Sequence, residues 1–254
     1  MAEVSPYITH LFLEFMGSLI LGFGLNILRV TNFVTAISGT AVSLTSGYFI
    51  LPFFAIGAVA SCYRVTGANL NPAITLANIF RRDKPENFDK LLAVLYIVAQ
   101  YAGFFLAVLL GWLFRENPGD LLIERKPEGG DNWFYSEAIG MELFASFAFV
   151  LIYLNQTSEK VWLSSETGIQ ALLISLAYGS LVAWSHERTG GSVNPAYAFA
   201  QNFWNEAKEG DEDAFKFIWI YTLMPIIGSF SALGLHEFVV KPGHEETKDE
   251  VDIK

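Results

Sequence analysis

Charged side chains are scarce in this sequence and are missing altogether from three long stretches. Asp, Glu, Lys and Arg make up 17% of the 254 residues, whereas a soluble domain carries about a quarter. The charge-free stretches are Ala36–Cys62, Leu91–Phe114 and Phe217–Leu235. Each is long enough to cross roughly 30 Å of hydrocarbon as a helix. Because buried helices of soluble proteins rarely stay free of charge for so long, the pattern disfavours a large soluble helical protein.

Other absences exclude further classes of protein. The single cysteine, Cys62, rules out an internal disulfide framework. The 16 Lys and Arg residues form no basic stripe, so nucleic acid is not expected as a partner. The histidines are scattered and no nucleotide-binding loop or hydrolase motif occurs. We therefore expect no enzyme activity, no catalytic residue, no metal and no cofactor.

Three further segments are nearly free of charge. They are Leu11–Leu28, Ala138–Gln156 and Thr167–Ser185, and the first two carry one acid each, Glu14 and Glu142. Together with the charge-free stretches they predict six transmembrane helices in an all-α integral membrane protein. Met1–His10 does not look like a cleavable signal, so the first helix is expected to direct insertion itself.

The charged residues lie mostly outside the predicted helices and suggest an orientation. The loop after the second span carries four basic residues, which favours a cytoplasmic position for that loop and, with six spans, for both termini. These residues are Arg81, Arg82, Lys84 and Lys90. The net charge of −10 comes largely from the acidic segments 116–131, 206–213 and 245–252. Residues 241–254 are short, acidic and poor in apolar side chains, and we predict a disordered tail there.

The sequence contains an internal repeat. Thr66–Ala73 aligns with Thr189–Ala196, and both end in Asn-Pro-Ala. The flanking segments also correspond: the neighbours of Glu14 resemble those of Glu142, and Gln100–Gly103 resembles residues 225–228. Each half holds three spans, about residues 8–115 and 135–240, so the second half enters the membrane from the opposite face. Residues 1–240 are thus predicted to form one inverted-repeat domain.

Each Asn-Pro-Ala motif is predicted to start a half-helix. Asn is a favoured N-cap and Pro is favoured at the first helical position. The segments that follow, Ala73–Phe80 and Ala196–Trp204, are too short to cross a bilayer. Two matched half-helices would meet near the membrane centre and present positive dipole ends and asparagine amides to a pore. The predicted pore residues are Asn71, Pro72, Ala73, Asn194, Pro195 and Ala196.

The two intramembrane acids have two possible roles. An ionised carboxylate in the membrane is costly unless it finds donors. Glu14 and Glu142 could carry protons, or they could accept hydrogen bonds from the backbone of the loops that precede the half-helices. Because they occupy equivalent positions, the sequence favours the second, scaffolding role, in which Gln100 is a third intramembrane structural residue.

Up to about Val240, the chain resembles the aquaporins, also called major intrinsic proteins. The run Gly67–Leu76 is similar to the family's Gly-Ala-His-x-Asn-Pro-Ala-x-Thr segment, with Asn69 in place of His. In most of the family an arginine follows the second motif and forms the outer constriction, whereas here that position holds Tyr197. By the same correspondence, the other constriction positions fall on Leu51, Val182 and Gly191. Ala198 stands where glycerol-conducting members usually carry Asp.

The resemblance implies a passive water channel in a lipid bilayer, assembled as a homotetramer, in either the plasma membrane or an intracellular membrane. Without the arginine, selectivity could relax towards ammonia, glycerol or urea. The alternative is a structural protein that keeps the fold with a closed pore. Arg188 could replace the missing arginine at the outer mouth, although a solvated position in its loop is favoured.

Overall fold

The described part of the chain is almost entirely helical. The computed structural model describes residues 6–29, 47–85, 88–114, 121, 134–210 and 213–252. Its helices are α1 (Pro6–Arg29), α2 (Gly47–Thr66), α3 (Pro72–Phe80), α4 (Lys90–Phe114), α5 (Tyr135–Gln156), α6 (Thr167–Thr189), α7 (Pro195–Glu209), α8 (Ile218–Leu235) and α9 (Lys241–Asp252). A π-helical turn, His236–Val240, joins α8 to α9.

Within the described residues, five helices are long and apolar enough to cross a membrane. They are α1, α4, α5, α6, and α8 with the turns that follow it as far as Glu246. The sixth predicted span corresponds to α2, whose apolar part Leu51–Thr66 is shorter. The predicted stretch Ala36–Cys62 begins outside the described residues. Most of the acidic segment 116–131 also lies outside them.

The two helices that follow the Asn-Pro-Ala motifs are half-helices, as the motifs predict. α3 has 9 residues and α7 has 15, and each begins at the proline of an Asn-Pro-Ala motif. Helix packing is mirrored between the two halves. α1 packs against α2 and α4 while α5 packs against α6 and α8, and each half-helix contacts both α4 and α8. The half-helices therefore lie at the boundary between the repeats.

Matched glycines allow the closest helix pairs to form. A Cβ atom on Gly228 of α8 would lie 2.6 Å from the carbonyl oxygen of Leu143 and 2.8 Å from the amide nitrogen of Phe147 on α5. At the corresponding place in the first half, a Cβ atom on Gly103 of α4 would collide with the carbonyl oxygen of Phe15 on α1. Only glycine leaves room for backbones at these distances, as in other membrane helix pairs.

The C-terminal segment differs from its prediction. Residues 241–254 are predicted to be disordered, whereas Lys241–Asp252 is helical and continues from α8. The Lys241 ammonium lies 2.7 Å from carboxylate oxygens of both Asp83 and Glu237, and Lys160 pairs with Glu245 at 2.8 Å. Composition alone could not indicate this, because the partners of the segment lie far away in the sequence.

The close packing of α8 on α5 can be tested with two glycines of the same helix. Gly228→Ala inserts a methyl group against backbone atoms, so we expect a loss of about 1–3 kcal/mol of stability. Gly234→Ala has open space around its Cβ position and should leave stability unchanged or raise it by a few tenths of a kcal/mol. Thermal unfolding of the detergent-solubilised protein measures both. Equal melting temperatures for the two variants would contradict the packing argument.

Candidate functional site

The two motif asparagines cap the half-helices. The Oδ1 atom of Asn71 accepts a hydrogen bond from the amide of Ala73 at 2.9 Å. In the second half, Oδ1 of Asn194 accepts from the amides of Ala196 and Tyr197 at 3.0 and 3.4 Å. Both caps are followed by proline at the first helical position. Each half-helix therefore starts at its motif, with its free amides and positive dipole end directed towards the other half-helix.

The same asparagines connect the two halves of the protein. Nδ2 of Asn71 donates to the carbonyl oxygen of Val193 at 2.8 Å, and Nδ2 of Asn194 donates to the carbonyl oxygen of Leu70 at 2.8 Å. Each bond uses one of the two N–H groups of an amide. The crossed pair holds the half-helices end to end, and each amide keeps a second N–H group for a molecule in the adjacent cavity.

The backbone that precedes each half-helix has an unusual conformation. In both loops several residues have positive φ, three of which are not glycine; the residues are Gly67, Ala68, Leu70, Gly190, Gly191 and Val193. A non-glycine residue in this region costs roughly 1–2 kcal/mol. Such backbone persists only where surrounding contacts hold it in place, and in a membrane all its polar groups need partners.

Glu14 supplies partners for the first loop. One carboxylate oxygen accepts the amide of Asn69 at 3.1 Å, and the other accepts the amide of Leu70 at 2.9 Å. Nε2 of Gln100 donates to Glu14 at 2.8 Å and to the hydroxyl of Thr75 at 2.9 Å. A fully buried carboxylate is thus surrounded by donors. This is the arrangement that the scaffolding interpretation predicts.

Glu142 does the same for the second loop. It accepts the amides of Ser192 and Val193 at 3.2 and 3.0 Å, together with the hydroxyl of Thr189 at 2.7 Å. The halves share the threonine, since Thr66 is also a hydrogen-bond partner of Glu14, but the counterpart of Gln100 is Pro225, which offers no side-chain donor. Thr189 is in turn fixed by Tyr221, whose hydroxyl donates to its carbonyl oxygen at 2.7 Å.

A cavity lies beside the crossed asparagines. It is partly open, and the space in it that the centre of a water molecule can occupy is about 20 Å³, which is enough for a water-sized molecule. The first loop and both asparagines form one side, and α1, α2, α5 and α6 form the rest; the lining residues are Leu21, Ala55, Val59, Ala68, Asn69, Leu70, Asn71, Phe149, Ile174, Ser175, Tyr178 and Asn194. The wall is therefore largely apolar, with a few polar groups at the centre, as is usual for a site that handles small molecules.

The four residues predicted for the outer constriction are all buried, but they do not line this cavity. The backbone of Gly191 lies directly against the carbonyl group of Val182, so the structure brings these two positions together. The ring of Tyr197 packs against Phe104 of α4, with centroids 5.7 Å apart. Leu51 lies near the start of α2. The structure thus joins Val182 and Gly191 by direct contact and turns Tyr197 towards α4.

Sequence reasoning missed the residues that hold Asn69. Its Oδ1 atom accepts from the hydroxyl of Tyr153 at 2.8 Å and from Nδ2 of Asn78 at 2.9 Å. The Tyr153 hydroxyl also lies 2.9 Å from the carbonyl oxygen of Gly67. Tyr153 and Asn78 sit in different helices and belong to no motif, so only the substitution of Asn69 itself was visible in the sequence.

Arg188, the candidate for the outer mouth, and Arg64 of α2 both contact other residues. The guanidinium of Arg188 lies over the ring of Phe134, 4.2 Å from its centroid. Arg64 donates to the hydroxyl of Thr167 at 3.2 and 3.3 Å and thereby connects α2 with α6 at an exposed position.

A group of ionisable side chains lies where α3 meets the C-terminal helices. Asp83, His236 and Glu237 could together offer three metal ligands. The Lys241 ammonium, however, already bridges the two carboxylates at 2.7 Å on each side, and Arg81 contacts Asp83 at 2.6 Å. Two cations therefore balance the two acids, and a metal ion would have to displace Lys241.

The contacts of Asp83 determine its ionisation. Partial burial alone would raise the pKa of Asp83. Hydrogen bonds and charge from Arg81, with hydrogen bonds from Lys241 and Ser158, favour the carboxylate more strongly. The pKa of Asp83 is therefore well below its ordinary value, and the ionised form links α3 to α5 and α9.

The contribution of this carboxylate can be measured through its pH dependence. Asp83→Asn keeps the shape but removes the charge that faces Arg81 and Lys241, so we expect a lower melting temperature at neutral pH. The pKa of Asp83 is lower in the folded protein than in the unfolded chain, where it is about 4. The carboxylate therefore stabilises the fold fully above about pH 4, and this stabilisation is lost as the pH falls towards the folded-state pKa. The gap between wild type and variant should stay constant at higher pH and narrow only below about pH 4. Asp213→Asn is the control, because Asp213 pairs with Lys216 within one turn. If Asp83→Asn lowers the melting temperature no more than Asp213→Asn does, this assignment is contradicted.

The scaffolding role of Glu142 leads to a second prediction for the site. Glu142→Gln replaces one acceptor oxygen by a donor that faces other donors. We expect a loss of about 3 kcal/mol or more, since buried charged hydrogen bonds are broken. Glu137→Gln on an exposed position of the same helix is the control. Thermal unfolding in detergent compares them, and similar melting temperatures would favour a role for Glu142 other than support of the loop.

Comparisons with known proteins agree with this geometry. The chain matches the family model described as major intrinsic protein over residues 2–236. Aquaporin-1 of Canis lupus familiaris is 28% identical over 190 residues, which cover 74% of this chain and 65% of that protein. Aquaporin-1 of Bos taurus is 27% identical with the same coverage. The matched region thus spans slightly less than two thirds of these relatives.

A solved structure shares the fold. The aquaglyceroporin from Plasmodium falciparum superposes with a TM-score of 0.73 over 94% of this chain and 99% of that chain, at 20% sequence identity. The prediction of an all-helical membrane fold is confirmed by this likeness. Since the family model covers almost the whole chain, the chain belongs to the major intrinsic protein family, the aquaporins and their relatives, whose members are membrane channels and not enzymes.

Proposed function

We propose that this protein conducts water and small neutral solutes passively, along a path that passes Asn71 and Asn194. The observation that carries the proposal is the pair of half-helices that meet end to end beside a cavity, with both asparagine amides on its wall. A molecule at this point finds two N–H donors and otherwise apolar surroundings. Water can use both donors through its oxygen atom, which suits single-file passage.

The same geometry opposes the passage of cations. Each half-helix N-terminus carries roughly +0.5 of an elementary charge, and both ends point to the centre. A water held by two amide donors turns its own hydrogens away from the centre, which interrupts the oriented chain required for proton hopping. Such dipole barriers are known for aquaporins. We therefore propose that protons and metal cations are excluded at Asn71 and Asn194.

The proposed outer constriction consists of Leu51, Val182, Gly191 and Tyr197. With Tyr197 in the place of the family's arginine, this region has no fixed positive charge of its own. Apolar side chains compensate poorly for the loss of hydrogen bonds by water. Because the charge and donors of an arginine are missing from these four positions, we expect selectivity to relax, and ammonia, glycerol and urea are candidate solutes beside water.

We also propose the membrane topology and assembly that the sequence suggests. Basic residues in the loop after α3, including the largely exposed Arg82, support a cytoplasmic position for that loop and for both termini. A homotetramer with one pore in each subunit rests on the resemblance to the family. Many large apolar side chains on the outer helix faces, for example Phe12, Phe144 and Trp184, are exposed and suit contact with lipid or with neighbouring subunits.

Transport measurements on reconstituted protein test the proposal. Stopped-flow shrinkage of proteoliposomes should show water permeability above that of empty liposomes, and proton flux followed with a pH-sensitive dye should stay at the empty-liposome level. Ammonia, glycerol and urea are measured on the same vesicles. Water rates equal to those of empty liposomes would favour the alternative, a protein with this fold and a closed pore.

A further inference from the structure

Tyr178 is the last residue of α6 that lines the cavity beside the asparagines. The lining follows α6 through Ile174, Ser175 and Tyr178 but does not include Val182, which lies one helical turn further along. Tyr178 itself is only 3% exposed. A molecule moving from the central asparagines towards the proposed outer constriction therefore meets the Tyr178 side chain first.

Two contacts show where this side chain lies. Its ring packs against Phe149 of α5, with centroids 5.1 Å apart and planes at 54°. Its hydroxyl lies 3.5 Å from the carbonyl oxygen of Ser192, at the outer limit of a hydrogen bond. Ser192 belongs to the irregular loop before α7. The Tyr178 side chain thus lies between Phe149 of α5 and the loop that leads to the second half-helix.

The backbone of α6 holds Tyr178 in this place. A Cβ atom on the next residue, Gly179, would lie 2.5 Å from Cγ of Pro52, so α6 is pressed against α2. One turn further, the backbone of Gly191 lies against the carbonyl group of Val182. Because α6 is packed on both sides of Tyr178, the helix cannot easily shift away, and rotation of the tyrosine side chain is the simplest way to widen the path.

We propose that Tyr178 sets the width limit of the channel. This inference rests on the proposed function and sharpens it, since it orders the candidate solutes by size. Water and ammonia pass beside the ring and can exchange hydrogen bonds with its hydroxyl. Glycerol and urea are too wide to pass. Size selection therefore occurs between the central asparagines and the outer constriction, at a residue outside both.

A graded series of substitutions tests this. Tyr178→Val removes the ring. We expect glycerol and urea permeability to rise by about tenfold, because one unfavourable contact is removed from the free-energy barrier to their passage. Tyr178→Phe keeps the ring and should still exclude both solutes while water permeability changes by less than about threefold. Tyr178→Trp should reduce water permeability. Leu176→Val, a matched change at a half-exposed position of the same helix, is the control.

All variants are reconstituted at equal protein density and measured by stopped flow with water, ammonia, glycerol and urea. If wild type is silent and Tyr178→Val conducts, the ring closes the pore instead of limiting its width, and both this inference and the proposed conduction by the wild-type protein are refuted. If wild type conducts water but Tyr178→Val excludes glycerol and urea as wild type does, the width limit lies elsewhere, and only the role of Tyr178 is refuted. If wild type and every folded variant match empty liposomes, the proposed function fails and this inference fails with it.

Discussion

Non-helical backbone in the middle of a membrane must have its polar groups satisfied by protein, and this requirement governs the structure. Glu14 and Glu142 accept amides of the two loops, and the asparagines donate to the loop carbonyl groups of the opposite half. Neither loop could hold its positive φ angles without these partners. Because each half supplies contacts for the other, the central constriction exists only when both halves are docked.

The supporting residues are symmetric, whereas the residues that line the path are not. Carboxylates, asparagines and close-packing glycines recur in both halves, since both loops and both helix pairs have the same backbone geometry to maintain. The cavity wall has no such constraint. Asn69, for example, is held by Tyr153 and Asn78, while its counterpart Ser192 lies near Tyr178. Selectivity can therefore change by substitution of lining residues while the frame stays intact.

A second polar group secures the far end of the first half-helix. Arg81 follows α3 directly and donates to Thr157 at the end of α5, and Asp83 brings in Lys241 from α9. The charges are balanced within a largely buried cluster, so one missing partner would leave an uncompensated charge. The half-helix is thus anchored at both ends, which keeps its N-terminus in position at the centre of the fold.

The sequence by itself determined the long apolar helices, the repeated motif and the two half-helices, because hydropathy, capping and proline preference act locally. It also indicated that Glu14 and Glu142 need donors, but their actual partners required the docked loops. Tertiary structure alone decided that Tyr178 and Phe149 reach the cavity, since an aromatic residue in an apolar helix looks the same whether it faces lipid, a neighbouring helix or the path. It likewise decided that the acidic C-terminal segment is helical, because Asp83 and Lys241 meet only after the chain has folded.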